Sequence, residues 1–290
     1  MTKPTQKVEL GFDLTGNNTG PYFRLDDPTA GVLDGTQFLL GGTIFFDVTQ
    51  YVLGFTTRRG KSRQLDRYST GQASVLFNNN DRIFDPEYAA SPYFGQIIPR
   101  REIRITSGDD VQYFGSVDDW NLNYEPTGDN YSEAVCSDGF RILANQTLDG
   151  FTNSVELSGD RVSAILSRPE IDWGIDARDI DAGRQTLGAD VVVAGDNVLS
   201  YLQTVEASEP GALFIGKSGK VTFKDRAVAP TSDVTVLADD GTGISYQGMQ
   251  VVYGSELLYN NIEIGTVITG ATSSAVDSLS QGIYGNLTLS

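Results

Sequence analysis

The sequence predicts a mainly β protein with a small α/β unit in its middle. Apolar and polar residues alternate with period two over much of the N-terminal half, as in strands that bury one face. Glycine is abundant, at 32 of 290 residues, and runs such as 78–81, Asn-Asn-Asn-Asp, mark turns. Between residues 138 and 206 the spacing of apolar residues becomes helical. Short antiparallel strands are therefore expected over most of the chain.

The strands expected first lie at 8–14, 22–25 and 37–52, and Gly41-Gly42 indicates a hairpin or bulge within the third. A further strand at 73–77 stops at the turn 78–81. Two hairpins follow at 103–117 and 120–136. Between them and the earlier strands, we expect a long ordered loop at 83–99. Three prolines interrupt this loop, and its aromatic rings hold it in place: Phe84, Tyr88, Tyr93 and Phe94.

Helical spacing predicts three helices. The first covers 138–145 with Asp138 as its N-cap, the second covers 160–166 and ends before Pro169, and the third covers 196–206 with Asp196 as its N-cap. The third has the clearest apolar stripe: Val198, Leu199, Tyr201, Leu202 and Val205. A hairpin at 212–223, turning at Ser218-Gly219, completes this mixed unit. Strands return at 234–237, 249–253 and 258–264.

Composition excludes several kinds of chemistry. The chain has no histidine, so it cannot use Ser-His-Asp or Cys-His catalysis or an imidazole metal site. Its one cysteine, Cys136, cannot form an internal disulfide or a thiolate zinc site, and we expect it to be a buried core residue. No cofactor, metal or catalytic residue is predicted, nor any membrane insertion, since the chain has no long apolar run and no signal peptide at its N-terminus.

The charge is unevenly distributed. The formal net charge is −17, which disfavours binding of nucleic acid through its phosphates. Residues 58–104 nevertheless carry 9 basic and 5 acidic side chains, whereas no basic residue follows Arg226. One interpretation is a solvated face, and another is a contact with the acidic surface of a second copy. The candidate contact residues are Arg58, Arg59, Lys61, Arg63, Arg67, Arg100 and Arg101.

Adjacent aspartates, such as Asp109-Asp110 and Asp118-Asp119, indicate turns and strand ends far more than a catalytic pair. Weak calcium binding at 78–81 or 239–243 is a minor alternative, because neither run has the full spacing of a calcium loop. Gly241 and Gly243 precede an expected strand, so they indicate a turn rather than a phosphate loop. Tyr68 and Trp120 are expected to be packing or interface aromatics.

A series of short segments resembles the minor tail proteins that form the baseplate hub of long-tailed bacteriophages, most strongly those of siphophages. The similarity covers nearly the whole chain. The segments that carry it are Arg24–Pro28, Gly31–Asp34, Asp47–Val52, Arg58–Tyr68, Asn78–Pro86, Ser91–Gly95, Pro99–Arg101, Phe114–Trp120, Leu143–Gln146, Glu206–Glu209, Leu213–Gly219 and Tyr253–Asn260.

The resemblance implies tail-tube-like antiparallel β-barrel domains with a small α/β insertion. The expected boundaries are 1–150 for the first barrel, 151–231 for the α/β domain, and 232–290 for a second barrel that is incomplete in this chain. Such hubs form rings, typically trimers. They join the tail tube and distal tail protein to the central fibre or tip, and the tape measure protein is a further expected partner. The implied location is the virion tail tip, after assembly in the host cytoplasm.

The hub interpretation gives the acidic surface a purpose, because acidic walls let DNA pass through the ring without gripping it. Two other functions remain open at this point. A receptor- or carbohydrate-binding tip module would need an exposed aromatic platform, for which Tyr88, Tyr93 and Phe94 are the candidates. A tail-associated hydrolase is disfavoured by the lack of histidine and of a convincing carboxylate cleft.

Overall fold

A computed structural model describes residues 5–12, 43–62, 66–126, 128–209, 211–226, 236–238, 258–265 and 272–289, together with residues 242, 248, 250 and 254. The chain divides into two compact units, Met1–Ala229 and Pro230–Ser290. The strand expected at 22–25, the glycines at 41–42, and Gly241 and Gly243 lie outside the described residues. Of the strands expected at 234–237 and 249–253, only residues 236, 237 and 250 are described.

A seven-stranded antiparallel sheet forms the first part of the N-terminal unit. Its spatial order is β2-β1-β5-β6-β7-β4-β3. The strands are β1 (Gln6–Phe12), β2 (Ile44–Asp47), β3 (Val52–Gly60), β4 (Ser69–Asn78), β5 (Glu102–Ser107), β6 (Asp110–Asn123) and β7 (Tyr131–Ser137).

Period-two alternation decides which face of each strand is buried. In β4, Ala73, Val75 and Phe77 point into the core, while the residues between them are half-buried or exposed. The expected hairpins are the pairs β5–β6 and β6–β7. The core also includes Cys136, as predicted, and rings from the loop before β5: Phe84 stacks on Phe77 with centroids 4.4 Å apart.

The sheet curls, because its two end strands are consecutive in sequence. A single 3₁₀ turn, Thr49–Tyr51, leads from β2 to β3 although these strands lie at opposite ends of the sheet. Val48 donates its N–H to the carbonyl of Val8 at 3.0 Å, which holds this turn against β1. Among the described strands no ladder joins β2 to β3, so closure into a barrel stays a prediction.

A second hydrophobic core in the same unit is small and mixed α/β. Three helices surround two two-stranded sheets, β8–β12 and β9–β11, and one three-stranded sheet in the order β10-β14-β13. The elements are α1 (Gly139–Ala144), β8 (Phe151–Asn153), β9 (Glu156–Leu157), α2 (Ser158–Leu166), β10 (Arg178–Ile180), β11 (Thr186–Leu187), β12 (Asp190–Val192), α3 (Val198–Ser208), β13 (Ala212–Ile215) and β14 (Val221–Lys224).

The three helices are those that the sequence predicts, with one correction at an N-terminus. Asp138 caps α1 by accepting the N–H of Phe140 at 3.0 Å. The N-cap of α3 is Asn197, whose side chain accepts the N–H of Ser200, so the prediction of Asp196 was wrong. Asp196 precedes the cap and accepts the N–H of Val193 instead. Asp and Asn are both good N-cap residues, so the sequence alone cannot decide which of two adjacent positions is the cap.

The described residues of the C-terminal unit form a three-stranded sheet in the order β16-β15-β17 and one short helix. The elements are β15 (Asn261–Gly265), β16 (Thr272–Val276), α4 (Ser278–Tyr284) and β17 (Thr288–Leu289). Asp277 caps α4 by accepting two backbone N–H groups.

The predicted class, mainly β with antiparallel sheets and a small α/β part, is confirmed. The division into domains at residues 150 and 231 stays a prediction. Within the described residues, no helix is long and apolar enough to cross a membrane.

Candidate assembly surface

The basic stretch of the sequence lies at the edge of the seven-stranded sheet. Arg58 and Arg59 are exposed on β3, which pairs only with β4 among the described strands. Lys61 follows the end of β3, and Arg67 precedes β4. Arg63, the remaining candidate in this stretch, lies outside the described residues.

The other two candidates, Arg100 and Arg101, do not join this group. Arg58 lies on β3, where it pairs with Gln72 of β4. Glu102, the residue after Arg101, lies on β5, which is four strands away from β3 in the sheet. Neighbouring strands are about 4.8 Å apart, so this separation is roughly 19 Å measured along the sheet. The charge pattern of the sequence therefore corresponds to two separate basic sites.

Arg59 lies against a buried carboxylate. A Cβ atom at Gly71 would come within 2.6 Å of Asp138 Oδ2 and 3.0 Å of Arg59 Cγ, so only glycine leaves room for this arrangement. Asp138 accepts the N–H groups of Gly71 at 2.7 Å and Phe140 at 3.0 Å. Burial raises the pKa of Asp138 to about 6, although the two N–H groups and the Arg59 charge oppose the shift.

Beyond Gly60, a pair of aromatic rings links the sheet to the α/β core. Tyr68 stacks on Phe214 of β13, with centroids 4.8 Å apart and planes inclined by 30°. Lys61 Nζ lies 5.3 Å from the centroid of the Tyr68 ring. Both rings are half-buried, so the pair remains partly accessible. Tyr68 is thus a packing aromatic, as expected.

Two depressions flank this pair of rings, and basic side chains line both. Arg59, Gly60 and Lys217 line the first. Gly211, Lys224 and Arg226 line the second. We call the two rings and the surrounding cations the ring-pair patch; its members are Tyr68, Phe214, Arg59, Lys61, Arg67, Lys217, Lys224 and Arg226.

Neighbouring carboxylates partly balance the ring-pair patch. Lys217 pairs with Asp110, and Lys224 pairs with Asp179 and Asp181. The buried Glu206 of α3 accepts the N–H of Leu213 at 2.8 Å. Burial raises the pKa of Glu206, while that N–H and the charges of Arg67 and Lys61 oppose the shift.

Sequence reasoning found the part of the patch that precedes β4 but missed Phe214, Lys217, Lys224 and Arg226. A local signal for the missed part exists. Four basic residues fall between 217 and 226, immediately before a C-terminal stretch that contains none. Only the fold shows that this second basic run meets the first across the Tyr68 ring.

The other candidate sites of the sequence have structural roles. Burial raises the pKa of the Cys136 thiol, which makes it a poor nucleophile. Asp109 lies in the β5–β6 turn, and Asp118-Asp119 lie at an irregularity in the pairing of β6 with β7. The described residues contain no group of three or more acidic, Cys or His side chains that could hold a metal ion.

The three aromatic residues considered for carbohydrate binding do not form a platform. Tyr93 packs against Phe12 with centroids 4.8 Å apart, inside the sheet core. Tyr88 lies beneath the guanidinium of Arg82, 4.9 Å from the ring centroid. Phe94 is the one strongly exposed ring of the three, at 46%.

Comparison with known proteins gives structural neighbours only. No family model and no curated protein matches the sequence. The 43 kDa tail protein of prophage MuSo2 from Shewanella oneidensis superposes with a TM-score of 0.54 at 12% identity, over 86% of this chain and 70% of that one. The tail protein from Neisseria meningitidis MC58 gives 0.52 at 11% identity, over 77% and 67%. At these identities the comparisons show a shared fold.

Proposed function

We propose that this chain is a structural subunit of a bacteriophage tail. The observation that carries the proposal is the fold shared with two tail proteins, one of them from a prophage, which extends over most of the chain. A fold alone does not define a function. Here it agrees with an independent sequence resemblance to tail hub proteins, and with buried polar groups that hold the fold together rather than converge on a cleft.

Within the tail, we place the chain in the hub ring at the distal end. There it would join the tail tube and the distal tail protein to the tip or central fibre, and would surround the path of the DNA. The net charge of −17 suits a conduit that repels phosphate. Immunogold labelling of phage particles carrying a tagged chain tests the location. Label confined to the distal tip supports the hub, and label along the tail or at the head contradicts it.

The ring would form through the basic edge of the sheet, which meets an acidic face of the next copy. We expect the combined changes Arg58→Glu, Arg59→Glu and Arg63→Glu to abolish ring assembly, as seen by negative-stain electron microscopy at physiological salt. Arg141→Glu with Lys220→Glu reverses two exposed charges elsewhere on the chain and should leave rings intact. Rings that survive the first set of changes would show that this edge is not the contact.

A further inference from the structure

The ring-pair patch concentrates positive charge on an acidic protein. It gathers six of the 21 basic side chains of a chain that carries 38 acidic ones: Arg59, Lys61, Arg67, Lys217, Lys224 and Arg226. Concentrating like charges costs free energy through mutual repulsion, and an oppositely charged partner relieves that cost.

The patch also has an apolar centre. Phe214 and Tyr68 are each half-buried and line both depressions, so they divide one basic surface into two adjoining recesses. Aromatic side chains surrounded by cations are typical of protein interfaces, where the rings supply buried area and the charges supply specificity. A ligand that fits must therefore carry both apolar groups and separate negative charges.

The geometry disfavours nucleic acid as that ligand. Base stacking needs a free ring face, but Phe214 stacks on the Tyr68 ring and Lys61 Nζ also lies over that ring, 5.3 Å from its centroid. A continuous line of phosphates would also meet the carboxylates that flank the lysines: Asp110 beside Lys217, and Asp179 and Asp181 beside Lys224. The acidic net charge adds to this repulsion.

A peptide meets both requirements, because its carboxylates can be spaced to avoid those acidic neighbours while its apolar side chains enter the recesses. We propose that the ring-pair patch is a docking site for an extended acidic segment of a partner protein, with apolar side chains beside Phe214 and carboxylates facing Arg59, Lys61 and Arg67. This site differs from the ring contact proposed above in its occupant, although Arg59, Lys61 and Arg67 belong to both.

Fluorescence anisotropy with the full chain tests the proposal. The probe is a labelled peptide of about twelve residues built from Asp-Glu-Phe repeats, and the competing probe is a single-stranded oligonucleotide of matched charge. We expect the peptide to bind, and we expect its affinity to fall with added salt. The change Lys61→Glu with Arg67→Glu should weaken it at least about tenfold, since both residues are exposed and their reversal preserves the apolar contacts.

Two further variants separate the patch from general charge and from folding. Phe214→Ala should also lower the affinity for the peptide by about tenfold, because it removes the apolar centre of the patch. Arg100→Glu with Arg101→Glu makes the same charge change at the other basic site and should alter affinity less than about twofold. Circular dichroism confirms that each variant is folded.

Four outcomes would overturn the proposal. In the first, the peptide does not bind at saturating protein. In the second, the Arg100 and Arg101 variant loses as much peptide affinity as the Lys61 and Arg67 variant, and in the third the oligonucleotide binds more tightly than the peptide. In the fourth, the Lys61 and Arg67 variant changes self-association and no peptide binding is seen. The last result, from analytical ultracentrifugation, would assign the patch to contact between copies. The ring proposal is tested with the Arg58, Arg59 and Arg63 variant, and the peptide proposal is tested with the Lys61 and Arg67 variant. Because the variants and the readouts differ, the two proposals can fail separately.

Discussion

The two cores of the N-terminal unit differ in how they hold several of their buried polar groups. In the sheet core, strands of up to 14 residues pair their backbones with one another. The buried hydroxyls of Tyr113, Ser116 and Ser132 have no hydrogen-bond partner among the described residues. In the α/β core the strands have two to four residues. The buried side chains of Arg161 and Glu209 bind backbone groups of loops, and that of Glu206 accepts a backbone N–H of β13.

The difference follows from strand length. A long antiparallel strand satisfies its own N–H and C=O groups, so the side chains beneath it need only pack. Short strands leave much of the backbone in loops, and buried loop groups need side-chain partners. The α/β core therefore depends on charged side chains at positions where the sheet core depends on apolar area.

The largest test of this contrast is Arg161→Met. The guanidinium is 2% exposed; it pairs with Glu156 and Asp190 and donates to the carbonyls of Ser154 at 2.7 Å and Gly188 at 3.0 Å. Methionine fills the volume but leaves Glu156 and the two carbonyls without this donor, while Asp190 still accepts from Tyr201 and Asn153. We expect the free energy of unfolding to fall by about 4 kcal/mol in urea denaturation.

The matched control is Arg168→Met. Arg168 is an ion-paired arginine of the same core, bound to Glu170 at 3.0 Å, but its side chain is 30% exposed. Water can replace its partner, so the loss should be below about 1 kcal/mol. Equal losses of unfolding free energy in the two variants would show that burial of the Arg161 charge does not cause the larger effect.

The next largest effect is a pH dependence at the joint between the cores. Asp138 has a pKa of about 6 in the fold, above its ordinary 3.8, so the folded state binds this proton more tightly than the unfolded state. Its contribution to stability should therefore increase as the pH falls from 6 to 4. The gain approaches about 3 kcal/mol, at about 1.4 kcal/mol per pKa unit.

Urea unfolding of the wild-type chain and the Asp138→Asn variant, at several pH values from 4 to 7, isolates this contribution. The asparagine loses one of the two acceptors for Gly71 and Phe140, so the variant is less stable throughout. The gap between the proteins should widen toward pH 4. A gap independent of pH would show that Asp138 titrates normally.

The pKa of Glu209, in the α/β core, is shifted in the opposite direction from that of Asp138. Burial alone would raise its pKa, but the Ser158 hydroxyl and the N–H groups of Arg184, Gln185 and Arg226 outweigh it and lower the pKa to about 2. The carboxylate therefore stabilises the fold above its ordinary pKa of 4.5, and this contribution is lost as the pH falls toward 2.

We expect Glu209→Gln to cost about 2 kcal/mol at neutral pH, because the amide turns an N–H donor toward other donors. The difference from wild type should shrink below pH 4 in thermal or urea unfolding. Glu87→Gln, at an exposed carboxylate of the loop before β5, should change stability by less than about 0.5 kcal/mol at any pH. A Glu209 effect that persists unchanged at pH 2 would contradict the charge argument.

These residues also show how far sequence reasoning reaches. Period-two alternation predicts the strand around 73–77, and the cap signal predicts α1 at Asp138, because both depend on residues close in sequence. The partners of Glu209 come from residues 158, 184, 185 and 226, and Phe214 meets Tyr68 from 146 positions away in the chain. No local periodicity encodes such contacts, so the ring-pair patch and the buried charges emerge only from the fold.

The smallest effects come from one chemical change made in both cores. The buried hydroxyl of Tyr113 has no hydrogen-bond partner in the part of the chain that the structure describes, so Tyr113→Phe removes a desolvated polar group and should raise stability by about 0.5 kcal/mol. The Tyr201 hydroxyl donates to Asp190 at 2.8 Å and accepts from Asn153 at 2.9 Å and from Arg161 at 3.0 Å. Tyr201→Phe should therefore lower stability by about 1.5 kcal/mol. If the two changes have the same sign in urea unfolding, the contrast between these two hydroxyls fails, because deletion of one oxygen atom has an opposite effect only if one hydroxyl is hydrogen-bonded and the other is not.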